Sequence, residues 1–369
     1  MKDQTAKREI TKIVITGGPS AGKTTAMSWI QNAFTKKGYA VLFIPETATE
    51  LITGGVAPWT CGSNCDYQMC QMRLQLEKER IFRLAAESMP QEKILIVCDR
   101  GALDNRAYMS AEEFARVLSG LGESEVSLRD NYDAVFHLVT AAKGAERFYT
   151  TANNAARTEG IAKAAELDDR LLDAWTGHPH LRVIDNSTGF EEKLERLLTE
   201  ISAFLGEPEP FEIERKFLIE YPDLEWLRSM PSCKPVEIIQ TYLKSDNGDE
   251  VRVRQRGVDG HYVYFQTTKR RVSAVKRVET ERRLTANEYL RLLMDADTTK
   301  RQIRKTRYCL TYESRYFEID LYPFWQDRAI LEIELKSEDE PIVFPDGIRV
   351  IKEVTDDDSY KNASLATIE

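Results

Sequence analysis

Residues 10–24 read ITKIVITGGPSAGKT, an apolar, β-branched run that breaks into glycines and continues into an amphipathic stretch headed by a lysine. The segment 17–24 fits GxxxxGK[ST], and it lies where that pattern has a physical meaning, between a strand expected at 10–16 and a helix expected at 23–37 that Gly38 stops. Gly17, Gly18, Pro19, Ser20, Ala21 and Gly22 form a loop whose backbone N–H groups can wrap a phosphate at the positive end of the helix. Lys23 then reaches the β- and γ-phosphates, and Thr24, with Thr25 beside it, can ligate Mg²⁺. A glycine-rich turn that binds nothing is the alternative reading.

Outward from this loop, short apolar runs alternate with helical spacing. Residues 40–44, 94–98, 134–139 and 181–184 read as buried strands, and 67–88 and 191–204 as helices. This is an α/β P-loop domain with a parallel sheet and helices on both faces, expected over residues 1–206. GEPEP at 206–210 cannot continue a helix, so residues 207–210 read as a linker.

Two carboxylates stand at strand ends, where ligands bind open α/β sheets. Asp99 closes the run KILIVCD in the position from which a carboxylate reaches Mg²⁺, with Arg100 and Asp104 after it. Glu46 ends VLFIPE, as a base for an acceptor hydroxyl or as a plain helix cap. Asp-Arg at 99–100 resembles the DR motif of thymidylate-kinase-like and deoxynucleoside-kinase-like enzymes, in which the Asp serves metal or base chemistry and the Arg holds a phosphate. Arg147 and Arg157 flank the small, polar segment 148–156, as expected of a lid closing over phosphates, with solvated surface arginines as the alternative.

Beyond the linker the period changes to two. FEIERKF at 211–217, EVRVRQR at 250–256, VETERRL at 278–284, YFEIDLY at 316–322 and LEIELK at 331–336 alternate charged residues with mostly apolar ones. Each of these strands commits one face to charge. The choice is between polar faces turned to solvent and a closed barrel with a charged lumen.

The order ExExK, IIQTYL, RVRQR, TTK, ETE, KTR, EID, LEIE and EVTDDDSYKN through residues 211–369 resembles the CYTH, or triphosphate tunnel metalloenzyme, family. The resemblance implies an α+β domain built on an eight-stranded antiparallel tunnel. It implies Glu212, Glu214, Asp320, Glu332 and Glu334 as ligands of Mg²⁺ or Mn²⁺. It implies Lys216, Arg252, Arg254, Lys269, Lys305 and Arg307 as the residues that hold a triphosphate, and Glu212, Glu214 and Lys216 as catalytic candidates. Members hydrolyse inorganic or organic triphosphates or cyclise ATP, and the motifs do not separate those activities. The whole arrangement also resembles the TRPL translocation defect protein family, with a nicotinamide riboside kinase-like front half, which opens a binding role for GTP and a phosphoinositide headgroup without turnover.

Composition narrows the partners. The 369 residues carry 51 Lys and Arg against 60 Asp and Glu, a net charge of −9, so the surface as a whole repels nucleic-acid duplexes and anionic membranes. No run of about 18 apolar residues is present, so no transmembrane segment is expected. Six scattered cysteines in a chain of this length point to reduced thiols and a cytoplasmic protein. The expected partners are therefore ATP or GTP with Mg²⁺ at the loop, and a triphosphate or polyphosphate in the tunnel.

Overall fold

A computed structural model describes residues 9–146, 160–207, 213–230, 232–245, 249–271, 277–313, 315–335 and 340–367. The chain folds as two compact units, Met1–Pro208 and Glu209–Glu369.

In the first unit, strands β1 (Glu9–Thr16), β2 (Ala40–Ile44), β3 (Lys93–Asp99), β4 (Ala134–Leu138) and β5 (Leu181–Ile184) form a parallel sheet in the order β2-β3-β1-β4-β5. Parallel pairing buries both faces, which is why β3 and β4 are almost uniformly apolar. Helices α1 (Lys23–Lys36) and α7 (Phe190–Phe204) send Ala26, Ile30, Phe34, Leu194, Leu197 and Ile201 onto Ile13, Ile15, Leu95 and Phe136 of the sheet. Helices α2 (Thr47–Thr53), α3 (Asn64–Ser88), α4 (Ala111–Leu121), α5 (Glu125–Arg129) and α6 (Ile161–Trp175) complete the unit. Because β1 lies between β3 and β4, the ends of these three strands bring residue 17, residue 99 and residue 139 to one edge of the sheet.

The second unit holds β6 (Ile213–Glu220), α8 (Leu224–Ser229), β7 (Cys233–Leu243), β8 (Glu250–Val258), β9 (His261–Arg271), β10 (Arg277–Leu284), α9 (Ala286–Leu292), β11 (Ile303–Tyr312), β12 (Arg315–Leu321), β13 (Arg328–Leu335), β14 (Val350–Glu353) and α10 (Asn362–Leu365). Its sheet is antiparallel, in the order β10-β9-β8-β7-β11-β12-β13-β6-β14. This corrects the expectation of eight strands in a closed barrel. Among the described residues there are nine, and the end strands β10 and β14 each pair with one neighbour. The additional strand is short, exposed at every residue and shifted in register between Val350 and Lys352, as an edge strand can be.

The pleat divides the sheet into a core face and a charged face. Phe217, Ile219, Leu310, Phe317, Ile319, Leu331 and Ile333 pack together with Trp226 and Leu227 of α8. The residues between them in sequence, Glu214, Lys216, Lys305, Arg307, Glu318, Asp320 and Glu332, are turned to the other face. On that face Leu218, Tyr242, Ile303, Tyr322 and Ile330 form an apolar cluster beside the charges.

Candidate functional sites

The phosphate loop of the first unit is conformationally demanding. Gly17 has φ 136° and Gly22 φ 93°, and a Cβ at position 17 would stand 2.0 Å from the Leu138 carbonyl oxygen, so no other residue fits there. Ser20 also takes the left-handed region, with φ 56°. The Lys23 ammonium is buried and folds back on the loop, donating to the carbonyls of Gly17 (3.0 Å) and Gly18 (3.4 Å). Thr24 and Thr25 are exposed.

Asp99 lies beside this lysine, and burial pushes its carboxyl above the ordinary range. Its Oδ1 is buried without a hydrogen-bond partner, an orphan acceptor that a hydrated Mg²⁺ would satisfy. Arg100, held at φ 69°, pairs through Nε with Glu46 and lies 3.6 Å from Asp104. Burial raises the Glu46 carboxyl, but the Arg100 guanidinium and the Lys23 ammonium outweigh it and hold it at about 2. Glu46 stands at the N-cap position of α2 without capping it through its side chain; Thr49 donates to it instead (2.7 Å). So placed, Glu46 is a weak base and a strong anchor for Arg100. Asp104 is buried, accepting from Gly101 N (2.7 Å) and from the Thr16 hydroxyl. Arg147 and Arg157 lie outside the described residues.

Two residues that the sequence reading passes over close around the loop. Asp168 of α6 accepts from Gly18 N (2.8 Å) and Thr140 N (3.2 Å), with His137 Nε2 at 3.1 Å and Lys143 Nζ at 3.0 Å. Lys193 of α7 donates to the carbonyls of Val139 (2.6 Å) and Ala21 (3.4 Å) and to Asn186 (2.7 Å). The amphipathic patterns of α6 and α7 place both side chains on helices, and nothing local says that they turn toward Gly18 and Ala21, 150 and 172 positions earlier.

The charged face of the second unit is a connected network. Arg307 donates to both oxygens of Asp320 (2.6 Å each), to Glu332 (2.7 Å) and to Glu318. Lys305 donates to Asp320, and Lys216 bridges Glu332 (2.6 Å) and Glu214 (3.3 Å). On the neighbouring strands Arg254 pairs with Glu281 (2.5 Å), which also accepts from Thr267 (2.9 Å). Arg252 stands in register with Tyr242 and Thr267, and Glu250 with Lys269. Glu318 and Glu281 complete the set; the alternations EID and ETE contain them, but neither is among the expected ligands.

Electrostatics separates the acids. Burial and the adjacent Glu332 push Glu214 up to about 7. Burial acts on Glu332 in the same direction, yet Lys216, Arg307 and Lys305 hold it well below the carboxylate range. Burial depresses the Lys305 ammonium and the Arg254 guanidinium, while Asp320, Glu318 and Glu332 raise Arg307 against its own burial.

Of the expected metal ligands, Glu212 lies outside the described residues and Glu334 is exposed, in register with Glu214. Asp320 and Glu332 are occupied by lysine and arginine. Accordingly, no group of three His, Cys, Asp or Glu side chains is drawn together as a metal cage among the described residues. The chemistry of the set, several carboxylates and no soft donor, still fits a hard divalent cation. No described helix is long and apolar enough to cross a membrane.

The chain matches the family model of the AAA domain over residues 12–193 and that of the CYTH domain over residues 210–353. It is 33% identical to an inorganic triphosphatase of Nitrosomonas europaea over 159 residues, which are 42% of this chain and 96% of that protein. Among solved structures it is similar to an inorganic triphosphatase at 30% identity, covering 43% of this chain and 96% of that one, with a TM-score of 0.30. A protein of Pyrococcus horikoshii is similar at 21% identity, covering 35% and 81%, with a TM-score of 0.27.

Proposed function

Since the chain belongs to the CYTH family through its second unit, behind an AAA domain, we propose that this unit hydrolyses inorganic triphosphate or a compound with the same tripolyphosphate group. The observation that carries the reading is the convergence of Lys216, Lys305 and Arg307 with Glu214, Glu318, Asp320 and Glu332 on one sheet face. The relative that spans nearly the whole unit is itself an inorganic triphosphatase.

A tripolyphosphate carries several charges close together, and fixed ammonium and guanidinium groups neutralise them better than water does. Lys216, Arg252, Arg254, Lys269, Lys305 and Arg307 would hold the substrate oxygens. Arg307 is already locked in its fork by Asp320, so it loses little freedom on binding. Glu332, Glu334 and Glu214, with Glu212 and Asp320, would hold Mg²⁺ or Mn²⁺, which supplies Lewis-acid polarisation of a phosphoryl oxygen when bound. The carboxylates would orient a water for in-line attack and take the proton it loses; its oxygen bonds to phosphorus, the anhydride P–O bond breaks, and the pair of electrons leaves with the departing phosphate group.

For the first unit the reading is ATP or GTP binding with Mg²⁺, through residues 17–25 with Asp99 and Arg100, coupled to hydrolysis or to phosphoryl transfer to a small acceptor. It rests on the strained loop and on the orphan oxygen of Asp99. A cytoplasmic setting supplies both ligands and keeps the six free cysteines reduced.

Phosphate release from tripolyphosphate, thiamine triphosphate, ATP and GTP with Mg²⁺ or Mn²⁺ tests the assignment. Tripolyphosphate turned over well above the others supports the inorganic substrate. Preference for an organic triphosphate moves the substrate but keeps the site, and cyclic AMP formed from ATP replaces hydrolysis by cyclisation.

A further inference from the structure

The phosphate loop is held from outside its own motif. Gly18 N–H is taken by Asp168, the Pro19 carbonyl by the Thr140 hydroxyl, and the Ala21 carbonyl by Lys193. Three loop groups in sequence are thus fixed by two helices and one strand end. All three holding residues are buried, and Asp168 is fully so. Glycine at 18 follows from the first contact. A Cβ there would stand 3.0 Å from the Asp168 Cβ and Oδ1 and 3.1 Å from the Thr140 Cβ, so a side chain at 18 would push Asp168 or Thr140 back by a few tenths of an ångström from the positions that hold the loop.

A carboxylate beside a loop that takes phosphates is electrostatically adverse unless its charge is met locally. Here Lys143 Nζ lies 3.0 Å from Oδ2 and His137 Nε2 lies 3.1 Å from Oδ1. Asp168 therefore works as a fixed acceptor whose field is cancelled on its far side. In return its oxygen gives Gly18 N–H a charge-assisted partner, stronger than a neutral acceptor would be. The Lys193 ammonium does the complementary work on the Ala21 carbonyl, within the loop itself.

Resting on the reading of the first unit as a nucleotide site, we propose that Asp168 and Lys193 are positioning residues that preform the phosphate loop for a nucleoside triphosphate. Loop groups held by the protein's own side chains have less freedom to lose when a nucleotide binds.

The test is calorimetric binding of Mg²⁺-ATP and Mg²⁺-GTP to the full chain, as wild type, Asp168→Asn, Lys193→Met, Lys23→Ala and Asp168→Asn/Lys23→Ala, with unliganded melting temperatures measured in parallel. Asp168→Asn keeps the shape and removes the charge. It is expected to weaken the tighter-bound nucleotide about 10- to 100-fold, the loss of one charge-assisted hydrogen bond. In the Lys23→Ala background the same substitution should cost little more, because both act on one loop; a general loss of stability would add instead. If Asp168→Asn does not fold, Thr140→Val, which removes the hydroxyl on Pro19, and Lys193→Met carry the same expectation. Wild-type binding that Asp168→Asn and Lys193→Met leave unchanged overturns this inference alone. Failure of the wild type to bind either nucleotide overturns the nucleotide reading, and the inference with it.

Discussion

Arg307 and Asp320 stand directly opposite each other on β11 and β12, and Nε and Nη2 of the guanidinium each donate to a different carboxylate oxygen at 2.6 Å. Asp320 is completely buried. The pair is the pivot of the charged face, since the same guanidinium also reaches Glu318 and Glu332.

Removing the charge of Asp320 leaves Lys305 and Arg307 buried and undercompensated. Breaking one member of a buried pair typically costs about 3–5 kcal/mol. Asp320→Asn is expected to lower the melting temperature and to abolish triphosphate hydrolysis, because the fork of Arg307 is no longer aimed. Denaturation followed by circular dichroism, with the activity assay, checks both; an unchanged melting temperature contradicts the account of the pair.

Metal removal should separate the two descriptions of the charged face. With Glu332 and Asp320 held by basic residues, the unit is expected to stay folded in excess chelator while phosphate release stops, and Mg²⁺ or Mn²⁺ should restore it. Unfolding on chelation would make the ion a structural one.

Glu46 gives a pH signature in the first unit. Its carboxyl is held at about 2 in the folded chain against an ordinary 4.5, so the pair with Arg100 contributes fully above about pH 4.5. That contribution is lost as pH falls from there through about 2. Glu46→Gln is expected to destabilise the unit near neutral pH by roughly 1–3 kcal/mol, with the difference from wild type closing below pH 4.5. A difference independent of pH would mean that the ion pair is not its source.

Gly17→Ala tests the loop backbone. The added Cβ would meet the Leu138 carbonyl oxygen at 2.0 Å in a left-handed conformation, so nucleotide binding and first-unit stability should fall together. Nucleotide affinity retained in this variant, measured by titration, would contradict the strained-loop description.

The legible parts of the molecule are those written contiguously. Residues 17–24 announce the phosphate loop because one contiguous stretch of backbone makes the phosphate cradle, and EID or RVRQR announce a charged face because the strand period is two. Asp168 and Lys193 were not legible, since their meaning lies in contacts with Gly18 and Ala21 that α6 and α7 create only after the sheet has formed. Strand β14 escaped for a different reason: with both faces exposed it has no apolar alternation to read. Closure into eight strands is what the resemblance implies; among the described residues nine strands run in order from β10 to β14. Glu318 was visible in EID, yet its role as a partner of Arg307 depends on the register of β11 and β12.

The central claim is that the charged face of the second unit hydrolyses a tripolyphosphate independently of the phosphate loop. Its most direct test is phosphate release from tripolyphosphate, with Mg²⁺ or Mn²⁺, by wild type, Lys23→Ala and Glu332→Gln. The account predicts equal release by wild type and Lys23→Ala and release at background in Glu332→Gln, whose carboxylate joins Lys216 to Arg307. Background release by folded wild-type protein, or undiminished release in Glu332→Gln, would contradict it.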